Sequence, residues 1–166
     1  MKNIFKVKGK KNIPLLIIII AIIEGLGFLS GYLGMPNKEL YETLIKPPFS
    51  PPGWVFPVVW TILYFLMGLA LYRVLIKGKE GKDVRKAVKL FVIQLALNLL
   101  WTPIFFRFNL YGLAFIVLLL MLIFILLTTF EFFKIDKTAG LLMIPYILWV
   151  SLAGILNFYI WVFNEM

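Results

Sequence analysis

Phe115–Leu127 reads FIVLLLMLIFILL. Thirteen apolar residues follow one another with no charge, no proline and no alternation. A strand of a membrane barrel would alternate apolar and polar side chains. Lipid admits only helices and closed barrels, because it holds no water to satisfy an open backbone. The stretch is therefore the middle of a membrane-spanning helix.

Four more apolar runs share its character, among them LLIIII at Leu15–Ile20. The five spans are read as Ile13–Met35, Trp54–Ile76, Val84–Phe106, Leu110–Phe133 and Ala139–Phe163. Each is close to the ~20 residues that cross a ~30 Å hydrocarbon core. The whole chain of 166 residues agrees, at 62% hydrophobic and 15% charged with mean hydropathy +0.96. A soluble domain is nearer half apolar and about a quarter charged. The expectation is an all-α integral membrane protein, a single five-helix bundle over residues 13–163. A basic tail (1–12) precedes it and a short end (164–166) follows. Lysines precede the first run as in a secretory leader, but that run exceeds the usual ~7–15 apolar residues and no small-residue cleavage site follows. It is read as a retained helix.

Charge sets the expected orientation. Of the 17 Lys and Arg, 14 fall on one side: the tail (Lys2, Lys6, Lys8, Lys10, Lys11), the loop after span two, the loop after span four, and Arg73. Lys38, Lys46 and Arg107 fall on the other. Positive residues stay inside, so the N-terminus is expected in the cytoplasm and the C-terminus outside, in the cell membrane. The same asymmetry accounts for the net charge of +9 without a nucleic-acid partner. Cysteine and histidine are absent, which excludes disulfides, thiolate nucleophiles, Cys/His metal sites and a histidine base. No internal repeat of the kind that builds many transporters is visible.

Between spans one and two lies KPPFSPPGWVFPVVW, Lys46–Trp60, with five prolines and four aromatics in fifteen residues. Proline fixes φ and lacks an N–H, so Pro47, Pro48, Pro51 and Pro52 make a stiff connector rather than a helix. The loop 36–53 is read as a lid. Trp60 and Tyr64 sit four residues apart inside the second span and share a face. Gln94, Asn98 and Trp101 share a face in the third, where buried amides need partners. They either tie helices together or meet a ligand. Pro103 is expected to kink that helix. In the fifth span Pro145, Trp149, Ala153 and Asn157 recur every four residues. That pattern suits either a pocket wall for a flat ligand or close helix packing. Gly27 and Gly31 form a small-residue motif in span one, and Glu24 is a carboxylate in mid-span.

Three blocks in order resemble the TspO/MBR family of tryptophan-rich sensory and translocator proteins. They are KPPFSPPGWVFPVVWTILYFLMG, QLALNLLWTPIFF and PYILWVSLAGILNFYIW. The likeness extends over about Tyr41 to Asn164. It implies a five-helix bundle, often a homodimer, with a pocket between the helices beneath the first loop. It implies porphyrins such as protoporphyrin IX as ligands, haem among them, and no obligatory cofactor. It implies a sensory or regulatory role, with light-dependent porphyrin breakdown tied to tryptophans that match Trp60 and Trp149. The helix-three pocket tryptophan matches Trp101, the helix-five alanine Ala153, and Phe49 lies in the lid. The ligand-binding set is then Phe49, Trp60, Tyr64, Asn98, Trp101, Phe105, Pro145, Trp149, Ala153 and Asn157. Pro47, Pro51 and Pro52 form the lid hinge, and no metal ligands are expected. Without His or Cys a bound haem is held by stacking rather than strong axial coordination.

The chain departs from the family pattern at Leu40, where tryptophan is usual before Tyr41, and at Phe49 and Phe158. No Lys or Arg follows Tyr159, so the family's proposed cholesterol motif is missing. Two rival functions stand beside the tetrapyrrole receptor: a transporter of porphyrins or other small apolar ligands, and a regulatory membrane partner protein with no ligand.

Overall fold

The computed structural model describes residues 12–34 and 40–166. The basic tail with its five lysines, the lid residues 36–39 including Lys38, and the Leu40 side chain lie outside the described part. The described residues contain helices α1 (Ile13–Gly34), α2 (Leu40–Thr43), α3 (Val55–Lys79), α4 (Arg85–Thr102), α5 (Tyr111–Ile135), α6 (Lys137–Leu142) and α7 (Ile144–Asn164), and no strand. Five stretches are long and apolar enough to cross a bilayer: α1, α3, α4 with the turn after it, α5, and α6 with α7. The protein is an all-α bundle of five membrane-spanning helices.

Proline shapes several ends. α3 starts just past Pro52-Gly53, and Pro57 falls in its first turn, where the missing N–H leaves no bond unmade. At Pro103 the α-helix does not merely bend. Its backbone widens into a π-turn over Pro103–Arg107, in which the Phe108 N–H reaches the Pro103 carbonyl at 3.0 Å. Proline lacks the N–H that would bond the Leu99 carbonyl one turn back, and the Ser30 hydroxyl of α1 donates to that carbonyl at 2.6 Å instead.

α5 packs against α4 and α7, while α1 packs on α3 and on the outer part of α4. Glycine lets these helices approach. A Cβ on Gly112 would come within 2.6 Å of the Trp161 ring, and one on Gly34 within 2.6 Å of the Thr102 methyl. Outward faces carry Ile17, Ile62, Ile116, Phe130 and Leu148, the side chains a bilayer solvates.

At the lysine-rich end a buried ion pair ties α3 to the α5–α6 corner. Arg73 Nε and Nη2 each lie 2.9 Å from an Asp136 carboxylate oxygen, with both side chains 8% exposed. Asp136 also caps α6 by accepting from the Ala139 N–H at 2.8 Å. Burial pushes the Asp136 carboxyl upward, but Arg73, the Ala139 N–H and Lys77 outweigh it and hold the group below the usual carboxylate range.

Candidate functional site

The site grows from one face of α3. Phe56, Trp60 and Tyr64 recur every four residues and so share a face. Trp60 and Tyr64 lie 5.5 Å apart at 29°. Tyr64 is anchored from below. Its hydroxyl donates to Asn98 Oδ1 at 2.6 Å, the Asn98 amide donates to the Tyr146 hydroxyl at 2.8 Å, and that hydroxyl donates to Gln94 Oε1 at 3.0 Å. Gln94 and Asn98 thus bond across helices, binding α3, α4 and α7 in the core. Trp101 is fixed by a second chain. Its Nε1–H donates to Asn157 Oδ1 at 3.0 Å, and the Asn157 amide donates to the Tyr111 carbonyl at 2.9 Å.

Beside this wall, α1 leaves a gap. Gly27 seats the Tyr64 ring so closely that a Cβ there would collide with it, whereas Gly25 and Gly31 face open space. The result is a cleft of about 720 Å³, open on one side, between α1, α3 and the end of α4. Glu24, Gly27, Phe28, Gly31 and Tyr32 line it from α1. Phe56, Pro57, Trp60, Thr61 and Tyr64 line it from α3, and Trp101, Thr102 and Phe106 from the third span. Next to it, and sharing Phe56, Trp101 and Phe106, is a void of about 20 Å³. That is room for roughly one water molecule. Phe105, Ala153 and Asn157 line this second space.

Among the residues read from sequence, Trp60, Tyr64 and Trp101 therefore face the cleft. Phe105, Ala153 and Asn157 face the small void behind it. Asn98 is in the core network. Trp149 meets Phe56 edge-on at 5.7 Å, and its Nε1 is buried with no partner among the described residues. Pro145 is exposed. Positions four apart on a helix turn by ~400°, so a stripe drifts ~40° each step and carries Pro145 off the face that buries Asn157.

The described part of the first loop packs on the end of α7, and none of its residues, Phe49, Pro47, Pro51 and Pro52 included, lines the cleft. Ile45 is held by its own backbone: its N–H donates to Asn164 Oδ1 at 2.9 Å and its carbonyl accepts from Asn164 Nδ2 at 3.0 Å. The Tyr41 hydroxyl donates to the Pro51 carbonyl at 3.2 Å. Pro47 and Ser50 close a turn at 3.0 Å, which presents Phe49 edge-on to Tyr159 at 5.9 Å. Lys46 is engaged locally, donating to the Tyr41 carbonyl and lying 3.5 Å from Glu42. Arg107 is exposed and donates to the Leu33 carbonyl at 3.4 Å, each next in the chain to a cleft-lining residue, Phe106 and Tyr32.

Reading the spans one at a time singled out Glu24, Gly27 and Gly31 without placing them at a site, and missed Phe28 and Phe56 as wall residues. Phe56 could have been found as the residue four before Trp60. Glu24, Gly27, Phe28 and Gly31 also share helical spacing, but only the neighbouring helix shows that this face borders a cleft.

The sequence pattern of the TspO/MBR family matches residues 18–162. The chain belongs to the TspO/MBR family. It is 46% identical to the tryptophan-rich protein TspO of Chlorobaculum tepidum, over 89% of this chain and 94% of that protein. It is 43% identical to the tryptophan-rich sensory protein of Cereibacter sphaeroides, over 78% of each. Similarity reaches animals: the human translocator protein is 37% identical, over 73% of this chain and 72% of its own length. Within this TspO/MBR bundle, the three blocks that carried the resemblance map onto the aromatic face of α3, the amide-and-tryptophan face of the third span, and the wall of α7.

Proposed function

We propose that this TspO/MBR protein binds a porphyrin or similar tetrapyrrole in the α1–α3 cleft and serves a sensory or regulatory role in the cell membrane. The observation that carries the reading is the cleft itself. Its ~720 Å³ falls within the ~300–1,000 Å³ of small-molecule sites, and its walls are aromatic with few polar groups. Trp60 and Trp101 offer ring faces to a flat macrocycle. Arg107, next to Phe106, offers a guanidinium to acidic propionates. The open side faces hydrocarbon, which suits a ligand that partitions into lipid first. The N-terminus lies in the cytoplasm in this reading, and the lid and Arg107 lie outside.

Light-dependent breakdown of the bound porphyrin is the second part. The excited porphyrin takes one electron from a tryptophan, dioxygen adds across a bridging carbon of the reduced macrocycle, and the ring opens with both oxygen atoms retained as the electron returns to the tryptophan radical. Trp60 lines the cleft, and Trp149 lies behind Phe56, which lines it too.

The test is a titration of the detergent-purified protein with protoporphyrin IX in the dark, following tryptophan fluorescence. Quenching should saturate, and Trp60→Ala should weaken binding by roughly two- to tenfold, the ~0.5–1.5 kcal/mol of an aromatic contact. Illumination should then deplete porphyrin absorbance in the wild type and not in the Trp60→Phe, Trp149→Phe double variant. Non-saturable quenching, identical in all variants, overturns the binding reading.

A further inference from the structure

The cleft is polarised. Arg107 meets α1 at Leu33, while Glu24 lies nine residues deeper on α1, about 14 Å along the axis at ~1.5 Å per residue. Glu24 is the one acidic residue among the cleft-lining residues, and none of them is basic. Two of the hydroxyls that line the cleft from α3 are already committed. Tyr64 donates to Asn98, and the Thr61 hydroxyl donates to the Pro57 carbonyl at 2.9 Å. Among the described residues Glu24 accepts no hydrogen bond and has no ion-pair partner. A carboxylate at mid-membrane depth normally faces a partner or a pathway. Here it faces a half-open cavity walled by Trp60, Trp101, Phe28 and Phe56.

A carboxylate set among aromatic faces is a receptor for organic cations. The rings attract a cation through their quadrupoles, and the carboxylate supplies the counter-charge in a low-dielectric setting. We propose that the cleft also takes flat aromatic cations, with the cationic nitrogen at Glu24 and the ring system between α1 and α3. The same charge fixes how a porphyrin would lie: its acidic edge is repelled from the deep end and turned toward Arg107. The inference uses the cleft assigned above, but the cation site stands or falls on Glu24 alone.

The test uses 9-aminoacridine, cationic at neutral pH, against acridine, which is of similar shape and largely neutral there. Both are titrated in a neutral detergent, against wild type, Glu24→Gln and Glu24→Asp. The expected result is saturable 9-aminoacridine binding that weakens about tenfold or more in Glu24→Gln, while acridine changes less than about twofold. Glu24→Asp, which keeps the charge, should recover much of the affinity. Thermal stability of each variant is recorded, so that loss through misfolding is separated from loss of the counter-charge. Equal 9-aminoacridine affinity in wild type and Glu24→Gln overturns the proposal, as does non-saturable binding. Protoporphyrin IX is titrated in parallel. Porphyrin binding without a Glu24-dependent cation overturns only the cation site, whereas the reverse outcome overturns the porphyrin reading and leaves the cation site standing.

Discussion

Gly27 and Gly31 look equivalent in the sequence, one helical turn apart in a small-residue motif, yet they should respond oppositely to alanine. At Gly27 the new methyl would overlap the Tyr64 ring. That ring cannot swing freely, because its hydroxyl is held by Asn98 at 2.6 Å and its face by Trp60. Overpacking typically costs ~1–3 kcal/mol. Displacing the hydroxyl leaves the buried Asn98 oxygen without its donor, another ~1–3 kcal/mol. Alanine returns about 1 kcal/mol in helix propensity. Gly27→Ala should therefore destabilise by about 1–5 kcal/mol and distort the Trp60 face of the cleft. At Gly31 nothing lies within 4 Å of the added methyl. Only the propensity gain remains, so Gly31→Ala should be neutral or stabilising by up to about 1 kcal/mol. Thermal unfolding of both variants in one detergent, followed by tryptophan fluorescence, reads the difference. If the two melt together, or Gly31→Ala is the weaker, Tyr64 does not rest on Gly27 and the cleft's inner wall is misplaced.

Three further outcomes are expected. The Asp136 carboxyl sits below its ordinary range, so its contribution to stability is present above the unfolded value near ~3.9 and is lost as pH falls through the lower folded value. Melting temperature should consequently drop in wild type below about pH 4 more steeply than in Asp136→Asn, and parallel curves would remove the Arg73 pair as the cause. Asn164→Ala removes both bonds to Ile45, so amide exchange should rise across residues 40–53 with a change in global stability of only about 1 kcal/mol. Unchanged exchange would mean the lid is held elsewhere. Finally, the chain has no cysteine, so single introduced thiols report sidedness cleanly. A membrane-impermeant maleimide on intact cells should label Phe108→Cys and not Lys82→Cys, and the reverse would invert the proposed orientation.

How far a residue's role was legible depended on how far away its partner lies. Trp60 and Tyr64 could be paired from their spacing, because four residues of helix fix where two rings stand. Gln94 and Asn98 could be flagged as buried amides needing partners, but only the structure shows Tyr64 and Tyr146 bonding to Asn98 and Tyr146 to the Gln94 oxygen, with the Gln94 Nε2 left without a partner among the described residues. The stripe through Pro145, Trp149, Ala153 and Asn157 was real as a spacing and misleading as a surface, since its drift carries one end out of the core. The break at Pro103 was expected, but its form, a π-turn that places Phe105 and Phe106 inward, depends on α1 and α5 packing around it.

The sequence by itself determined that the chain is a bundle of five membrane helices, which residues recur on one face of each, and that no cysteine or histidine chemistry operates. These follow from the bilayer's thickness, the helix's fixed rise and twist, and composition, all local along the chain. Only the tertiary structure decided that the open space lies between α1 and α3, that Gly27 closes it where Gly31 leaves it open, and that Glu24 rather than Trp149 borders it. Those depend on how each helix is rotated and how closely it approaches its neighbours. That is set by side chains meeting across tens of residues, such as Tyr64 on Gly27 and on Asn98, and no periodicity within one helix records it.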